Sequence, residues 1–187
     1  MSCELSIVIP AFNESSGLPR ALDTIKTIAA KASDNYEIIV VDDGSTDGTP
    51  GLIDSAHTRS PEIKGIILSR RFGKEAALYA GLRHSSGKAV ITLDADLQHP
   101  PELIPEMLEQ WRNGAEIVPG VKPDRGADSL RHRLPSAVYN GVFSRLSGFD
   151  LRGSSDFKLL DRRVVDVLTK QLPESSRFYR GLSAWVG

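Results

Sequence analysis

Short apolar runs recur along the chain: LSIVIP (residues 5–10), YEIIVVD (36–42), IKGIILS (63–69), KAVITLD (88–94) and AEIVPGV (115–121). Each is rich in Val and Ile and bounded by turn residues, the pattern of a buried strand. Longer amphipathic stretches separate them. Residues 17–31 carry Leu18, Leu22, Ile25 and Ile28 at helical spacing, and residues 73–85 and 101–112 also fit helices. The last of these places Leu103, Met107, Leu108 and Trp111 on one side, with Trp111 expected in the core. Strands alternating with helices predict an α/β domain, a three-layer, doubly wound, mostly parallel sheet covered on both faces. Ligands of such sheets bind beyond the carboxyl ends of the strands.

The alternation fades after Val121. Residues 122–135, KPDRGADSLRHRLP, are polar and basic with no apolar period. Residues 136–148 fit a helix, DFKLLD (156–161) one more strand, and 162–170 one more helix. No repeat, low-complexity tract or linker divides the chain, so residues 1–187 read as one domain. Composition agrees: 40% hydrophobic, 25% charged and a formal net charge of −1 suit a soluble domain with a sizeable core. That balance gives no reason to expect nucleic acid as a partner. The single cysteine, Cys3, rules out an internal disulfide and fits a reducing, cytoplasmic compartment. The N-terminus lacks the pattern of a signal peptide, and no run reaches the length of a membrane span.

The strand ends carry the chemistry. Strand one ends PAFNE (10–14), strand two VDDGSTDGT (41–49), strand three SRRFGKEAA (69–77) and strand four DADLQ (94–98). All fall on the rim where a ligand is expected, and their convergence says more than any one motif. Asp94 and Asp96, at i and i+2 of an extended segment, point the same way. Two such carboxylates repel unless a cation intervenes, and hard oxygen ligands suit Mg²⁺ or Mn²⁺ shared with a substrate diphosphate. Gln98 adds an oxygen if the chain stays extended. Asp42 and Asp43 are adjacent and point to opposite sides, so one of them can face a ligand and accept from the N–H groups of a base. Asp47 or Thr46 can cap the helix that follows. Glu14 is a candidate ligand contact, though an acid is also favoured at a helix start. Lys74 is a cation at a helix start, where the macrodipole disfavours it; that points to an anion nearby.

Other chemistries find little support. No Cys/His cluster has zinc spacing, and neither a Walker loop nor a G-x-G-x-x-G follows a strand. An aspartyl-phosphate phosphohydrolase would want Thr or Val soon after the second Asp, which DADLQHP lacks. A non-catalytic nucleotide-binding module remains a competing interpretation.

SIVIPAFNE, EIIVVDDGSTDGT, SRRFGKEAA and VITLDADLQHPPELIPEM, in this order and spacing, resemble the inverting nucleotide-sugar glycosyltransferases of the A-type fold (family two). DLQHPPE favours the branch of dolichol-phosphate mannose synthases and bactoprenol-phosphate glucosyltransferases. The resemblance spans essentially the whole chain. It implies a Rossmann-like nucleotide-sugar-binding half (1–121) and an acceptor-side half (122–187). Pro10, Phe12, Glu14, Lys74, Asp94, Ala95 and Asp96 would line the donor pocket, with Asp42 or Asp43 at the base. Asp94, Asp96 and Gln98 would hold the divalent ion. Arg125, Arg131 and Arg133 would meet the phosphate of a polyprenyl acceptor at a membrane surface. SSDFKLLDRRVV would bring Asp156 and Lys158 near the site, so Asp94, Asp96, Arg131 and Asp156 form the expected catalytic group. An acceptor that is a sugar hydroxyl, as in cell-wall or surface polysaccharide synthesis, is the alternative.

The chain departs from the family pattern at Arg71, where Asn is usual after Ser-Arg. It also stops at Gly187, where the family continues with a basic juxtamembrane motif, and many members then carry membrane helices. A longer natural protein, peripheral or anchored at the membrane, is therefore expected. LPSAVYNGVFSRLSGF (134–149) is the best membrane-contacting stretch within the chain, and association between copies of the chain is left open.

Overall fold

A computed structural model describes residues 3–120 and 156–171. The six strands of its sheet are β1 Leu5–Ala11, β2 Tyr36–Asp42, β3 Ile63–Ile67, β4 Ala89–Thr92, β5 Ile117–Pro119 and β6 Lys158–Asp161. Their order is β3-β2-β1-β4-β6-β5. The first four pair in parallel, and β6 runs antiparallel to both β4 and β5. The helices are α1 Leu18–Ala32, α2 Thr49–Arg59, α3 Lys74–His84, α4 Ile104–Arg112 and α5 Arg162–Asp166. A 3-10 turn, Pro101–Leu103, leads into α4, and a π turn, Val167–Gln171, continues α5. The chain winds outward from β1 to β3, then crosses back through α3 to place β4 on the other side of β1. The order therefore reverses between β1 and β4, where open α/β sheets bind ligands.

Strand alternation builds two apolar layers. Leu5, Ile7 and Ile9 of β1, with Ile38 and Val40 of β2, pack against Leu18, Leu22 and Ile25 of α1 and Met107 and Leu108 of α4. Val8, Ile39 and Val41 point the opposite way, onto Ala77, Leu78 and Leu82 of α3 and Val164 and Val165 of α5. Each such Leu, Ile or Val contributes about 1.5–3 kcal/mol on burial. The period of two in the strands thus makes the three layers read from the sequence. At Gly81 a Cβ would sit 2.3 Å from Val8 Cγ1. Only glycine lets α3 lie this close to β1, and that fixes where the first turn of α3 stands.

Several expected boundaries shift. β4 stops at Thr92; Leu93 N–H still donates to Val8 O, and a turn takes over at Ala95 and Asp96. The expected helix over 162–170 divides into α5 and the π turn. Trp111 packs against the core as expected but is only partly buried, and its indole N–H donates to Asp161 Oδ2 at 2.8 Å. The expected helix over 136–148 lies outside the described residues. Among the described residues, no helix is long and apolar enough to cross a membrane.

Candidate active site

The cleft at the switch point is lined by Pro10, Ala11, Phe12, Glu14, Asp43, Arg71, Lys74, Asp94, Ala95 and Asp96. Four separate strand ends supply these residues, as the rim pattern predicts.

The wall beyond β1 and β2 is held by backbone hydrogen bonds. Asn13, with φ 55°, accepts from Thr46 N–H at 2.9 Å, and its own N–H reaches Ser45 Oγ at 2.8 Å. Glu14 N–H donates to Thr49 Oγ1 at 3.0 Å. The Asp47 carboxylate accepts from Ser15 N–H and, at the first turn of α2, from Thr49 N–H and Oγ1. The hydrogen bond from Thr49, foremost, holds the Asp47 carboxyl far below the usual range. Of the two expected caps, Asp47 and Thr46, neither stands at the N-cap, which is Gly48; Asp47, one residue earlier, accepts from the first-turn Thr49 N–H and also joins the two strand-end loops.

Asp42 and Asp43 divide their tasks. Asp42 is fully buried; one oxygen accepts from Ser45 N–H at 3.1 Å, and the other has no hydrogen-bond partner among the described residues. Asp43 lines the cleft, and its two oxygens accept from Phe72 and Gly73 N–H at 2.7 and 2.8 Å. It thereby ties the β3–α3 loop to the end of β2. Gly44 completes this junction at φ 68°, with a would-be Cβ 2.3 Å from the Arg70 carbonyl carbon. A side chain there would force the two loops apart.

The opposite wall is made of charge. Lys74, first residue of α3, reaches Asp94 at 2.7 Å (Oδ1) and 2.9 Å (Oδ2), and Asp156 Oδ2 at 2.7 Å. Burial works against its charged form. The hydrogen bonds and charges of Asp156 and Asp94 outweigh that, so Lys74 titrates above an ordinary lysine. The anion that its helix-start position called for is thus this carboxylate pair. Asp156 is buried just before β6, and Thr92 Oγ1 donates to its backbone carbonyl. Lys158 stands buried opposite Thr92 in the β4–β6 ladder.

Of the three side chains expected to hold a divalent ion, two share the cleft and one does not. Asp94 and Asp96 both line the cleft. Gln98 would have joined them had the chain stayed extended, but Leu97 turns at φ 54° and Gln98 N–H folds back to Asp96 Oδ1 at 3.0 Å. Gln98 lines a neighbouring hollow with Arg20, Thr24 and Pro101 instead. Among the described residues no three His, Cys, Asp or Glu converge as a complete metal cage. Two carboxylates without a third protein ligand fit a hard cation that takes its other oxygens from water and substrate, as Mg²⁺ or Mn²⁺ does.

Arg71, the departure from the family pattern, faces into the cleft. Its guanidinium lies 4.3 Å from the Phe12 ring centroid. The run SRRFGK showed that a cation stands at this strand end, but not which of the two arginines turns inward. Arg125, Arg131 and Arg133 lie outside the described residues.

Residues 6–167 match the model for glycosyl transferase family 2. The chain belongs to that family. It is 41% identical over 188 residues to an uncharacterised glycosyltransferase of Synechocystis, covering 100% of this chain and 59% of the relative. It is 36% identical over 185 residues to a bactoprenol glucosyl transferase of Shigella phage SfV, covering 98% of this chain and 60% of the relative. The chain thus spans about three-fifths of these relatives' length. Among solved structures, a mannosyltransferase of Pyrobaculum calidifontis in complex with GDP-Man and Mn²⁺ superposes with a TM-score of 0.63 at 22% identity, covering 90% of this chain and 47% of that one. Glucosyl-3-phosphoglycerate synthase of Mycobacterium tuberculosis, in complex with Mn²⁺, UDP-Glc and phosphoglyceric acid, gives 0.64 at 23%, covering 89% and 59%. At such identities these two establish the fold alone, the A-type glycosyltransferase fold expected from the motifs. The chain carries a glycosyltransferase domain.

Proposed function

We propose that this domain transfers a hexose from a nucleotide sugar to a polyprenyl phosphate, with inversion, using Mg²⁺ or Mn²⁺. The observation that carries the proposal is the single cleft into which Phe12, Glu14, Asp43, Lys74, Asp94 and Asp96 converge. The base would sit toward Phe12 and Asp43, and the diphosphate toward Asp94, Asp96 and Lys74. The divalent ion would be held by Asp94 and Asp96 and would supply charge to the leaving diphosphate. Lys74 adds a cation at the same place. The anomeric carbon gains oxocarbenium character as the bond to the diphosphate lengthens, and the acceptor attacks from the opposite face. The relatives named as bactoprenol glucosyl transferases support the acceptor class. Arg125, Arg131 and Arg133 are the proposed contacts to its phosphate, through the paired N–H groups that arginine offers an oxyanion.

Asp156 bears on the choice of acceptor. One of its oxygens is bonded to Lys74, which favours a positioning task over accepting a proton from a sugar hydroxyl. A phosphate acceptor needs no such base, since a phosphomonoester is largely ionised at pH 7.

The test presents UDP-glucose, UDP-N-acetylglucosamine and GDP-mannose with Mn²⁺ and a short polyprenyl phosphate, and measures nucleotide release and lipid-linked sugar. Release that depends on both the lipid and the ion is expected. Turnover unaffected by EDTA, or an equal rate with a sugar-hydroxyl acceptor, would overturn the proposal. Arg131→Ala should weaken use of the lipid phosphate far more than nucleotide binding, and Arg131→Lys should rescue poorly. Equal losses in both substrates would move this arginine to the donor diphosphate.

A further inference from the structure

Lys74 makes a contact that the reaction above does not require. Its ammonium spans both oxygens of Asp94 and, on its other side, one oxygen of Asp156. Any divalent ion that takes Asp94 as a ligand must therefore displace an ammonium from at least one of those oxygens. Two features show that the ammonium has somewhere to go. Asp156 is buried, its backbone fixed by Thr92 and by the β4–β6 pairing, so it can retain Lys74 when Asp94 lets go. The lysine's four-carbon stem springs from the first turn of a helix whose close seat on β1 is set by Gly81. Its tip can pivot while its root stays still.

We propose that Lys74 is a resident cation that competes with the divalent ion for Asp94, so that the ion binds firmly only together with a nucleoside diphosphate. The diphosphate brings the negative charge that draws the ammonium off Asp94. Lys74 then donates to a phosphate oxygen while Asp156 keeps it in place, and the freed Asp94 joins Asp96 on the ion. The cleft thus keeps its carboxylates from repelling one another at all times, and it selects ion and nucleotide as a pair. Lys74 and Asp156 are positioning residues in this exchange. The inference rests on the metal site proposed above.

The test follows Mn²⁺ binding by the loss of the free-ion electron paramagnetic resonance signal, first without nucleotide and then with UDP or GDP. Lys74→Met is compared with the parent protein, and Lys74→Gln serves as a second variant. Arg71→Met is the control for removing a cation from the same cleft without freeing Asp94. Without nucleotide, Lys74→Met and Lys74→Gln should bind Mn²⁺ about tenfold more tightly than the parent or better, the effect of a full charge at hydrogen-bond distance. Arg71, whose guanidinium rests on the Phe12 ring rather than on Asp94, should change affinity by no more than about threefold. With nucleotide present, the advantage of the Lys74 variants should shrink or reverse. Unchanged or weaker Mn²⁺ binding by both Lys74 variants overturns the inference, as does an equal gain in Arg71→Met. If parent and variants alike bind Mn²⁺ only with nucleotide, the metal site stands and the competition is wrong. If none binds Mn²⁺ under any condition, the metal site itself fails and the competition with it.

Discussion

The two walls of the cleft are both polar, yet they are built on different terms. Beyond β1 and β2, acids and hydroxyls meet backbone N–H groups: Asp43 with Phe72 and Gly73, Asp47 with Ser15 and Thr49, Ser45 with Asn13. Those bonds end on the main chain and define the shape of a loop. Beyond β4, Asp94 and Asp156 meet the tip of a flexible lysine. Under the proposed function, that contact is the one exchanged for a metal ion or a phosphate, with no backbone movement needed. A polar residue at a strand end is thus scaffold or chemistry according to whether its partner is fixed to the main chain.

The contrast predicts opposite phenotypes for similar substitutions. The largest effect should come from the charged wall. Asp94→Asn and Asp96→Asn should each lower kcat/KM on the order of 10²–10³-fold, as loss of a group that stabilises transition-state charge does. Because these side chains carry little of the fold, the melting temperature should stay within about 2 °C. A large loss of stability in Asp94→Asn would show that its ion pair with Lys74 is scaffold after all, and the comparison would collapse.

Asp43 sits where the two kinds of wall meet, since it lines the cleft and also ties two loops. Asp43→Asn leaves one N–H of the Phe72–Gly73 pair facing an amide NH₂. That should cost about 1–3 kcal/mol of stability and weaken nucleotide binding together with it. Urea unfolding and nucleotide titration on the same preparation measure both losses. Loss of nucleotide binding with unchanged stability would reassign Asp43 to the ligand alone. Asp47 is the pure scaffold case. Asp47→Ala should lower the melting temperature while leaving kcat of the folded protein unchanged, and a lower kcat at full folding would place Asp47 in the chemistry.

This distinction also explains what could be read from the sequence. The strands, the three layers and the rim were legible because strand alternation and short Val/Ile runs act locally. That Asp94 and Asp96 stand together at the ligand rim was legible for the same reason. Gln98 was not, because its position depended on an extended backbone, and only the turn at Leu97 decides that. Neither was the choice between Asp42 and Asp43. Both are strand-end acids, and which one faces the cleft depends on where the 70–73 loop docks. Lys74 was legible as a cation awaiting an anion, but its partner Asp156 lies 82 residues away, beyond any local pattern. Arg71 stood out as a departure, whereas its stacking on Phe12 required the fold.

The smallest effect on activity is expected at the foot of the sheet, far from the cleft, and it tests whether buried charge there behaves as scaffold. Glu37 is almost fully buried in β2. One oxygen accepts from Ser6 Oγ and from Ser86 N–H and Oγ, and the other meets Lys64 Nζ at 2.5 Å. Burial pushes its carboxyl up, but the Lys64, Ser6 and Ser86 hydrogen bonds together hold it below the usual range. Glu4 and Asp161 are lowered as well. A carboxylate depressed on folding contributes stability above its unfolded pKa, and that contribution is lost as pH falls through the folded value. Stability should therefore be flat from about pH 7 to 5 and decline progressively below roughly pH 5. Glu37→Gln keeps the shape but not the charge. It should cost about 1–3 kcal/mol near pH 7 and flatten the acid decline by the share that Glu37 supplies. Urea midpoints at pH 7, 5 and 4 for both proteins read the two slopes directly. A variant with the parent's full acid decline would mean that Glu37 titrates alike in the folded and unfolded chains, and its network would then be packing rather than charge.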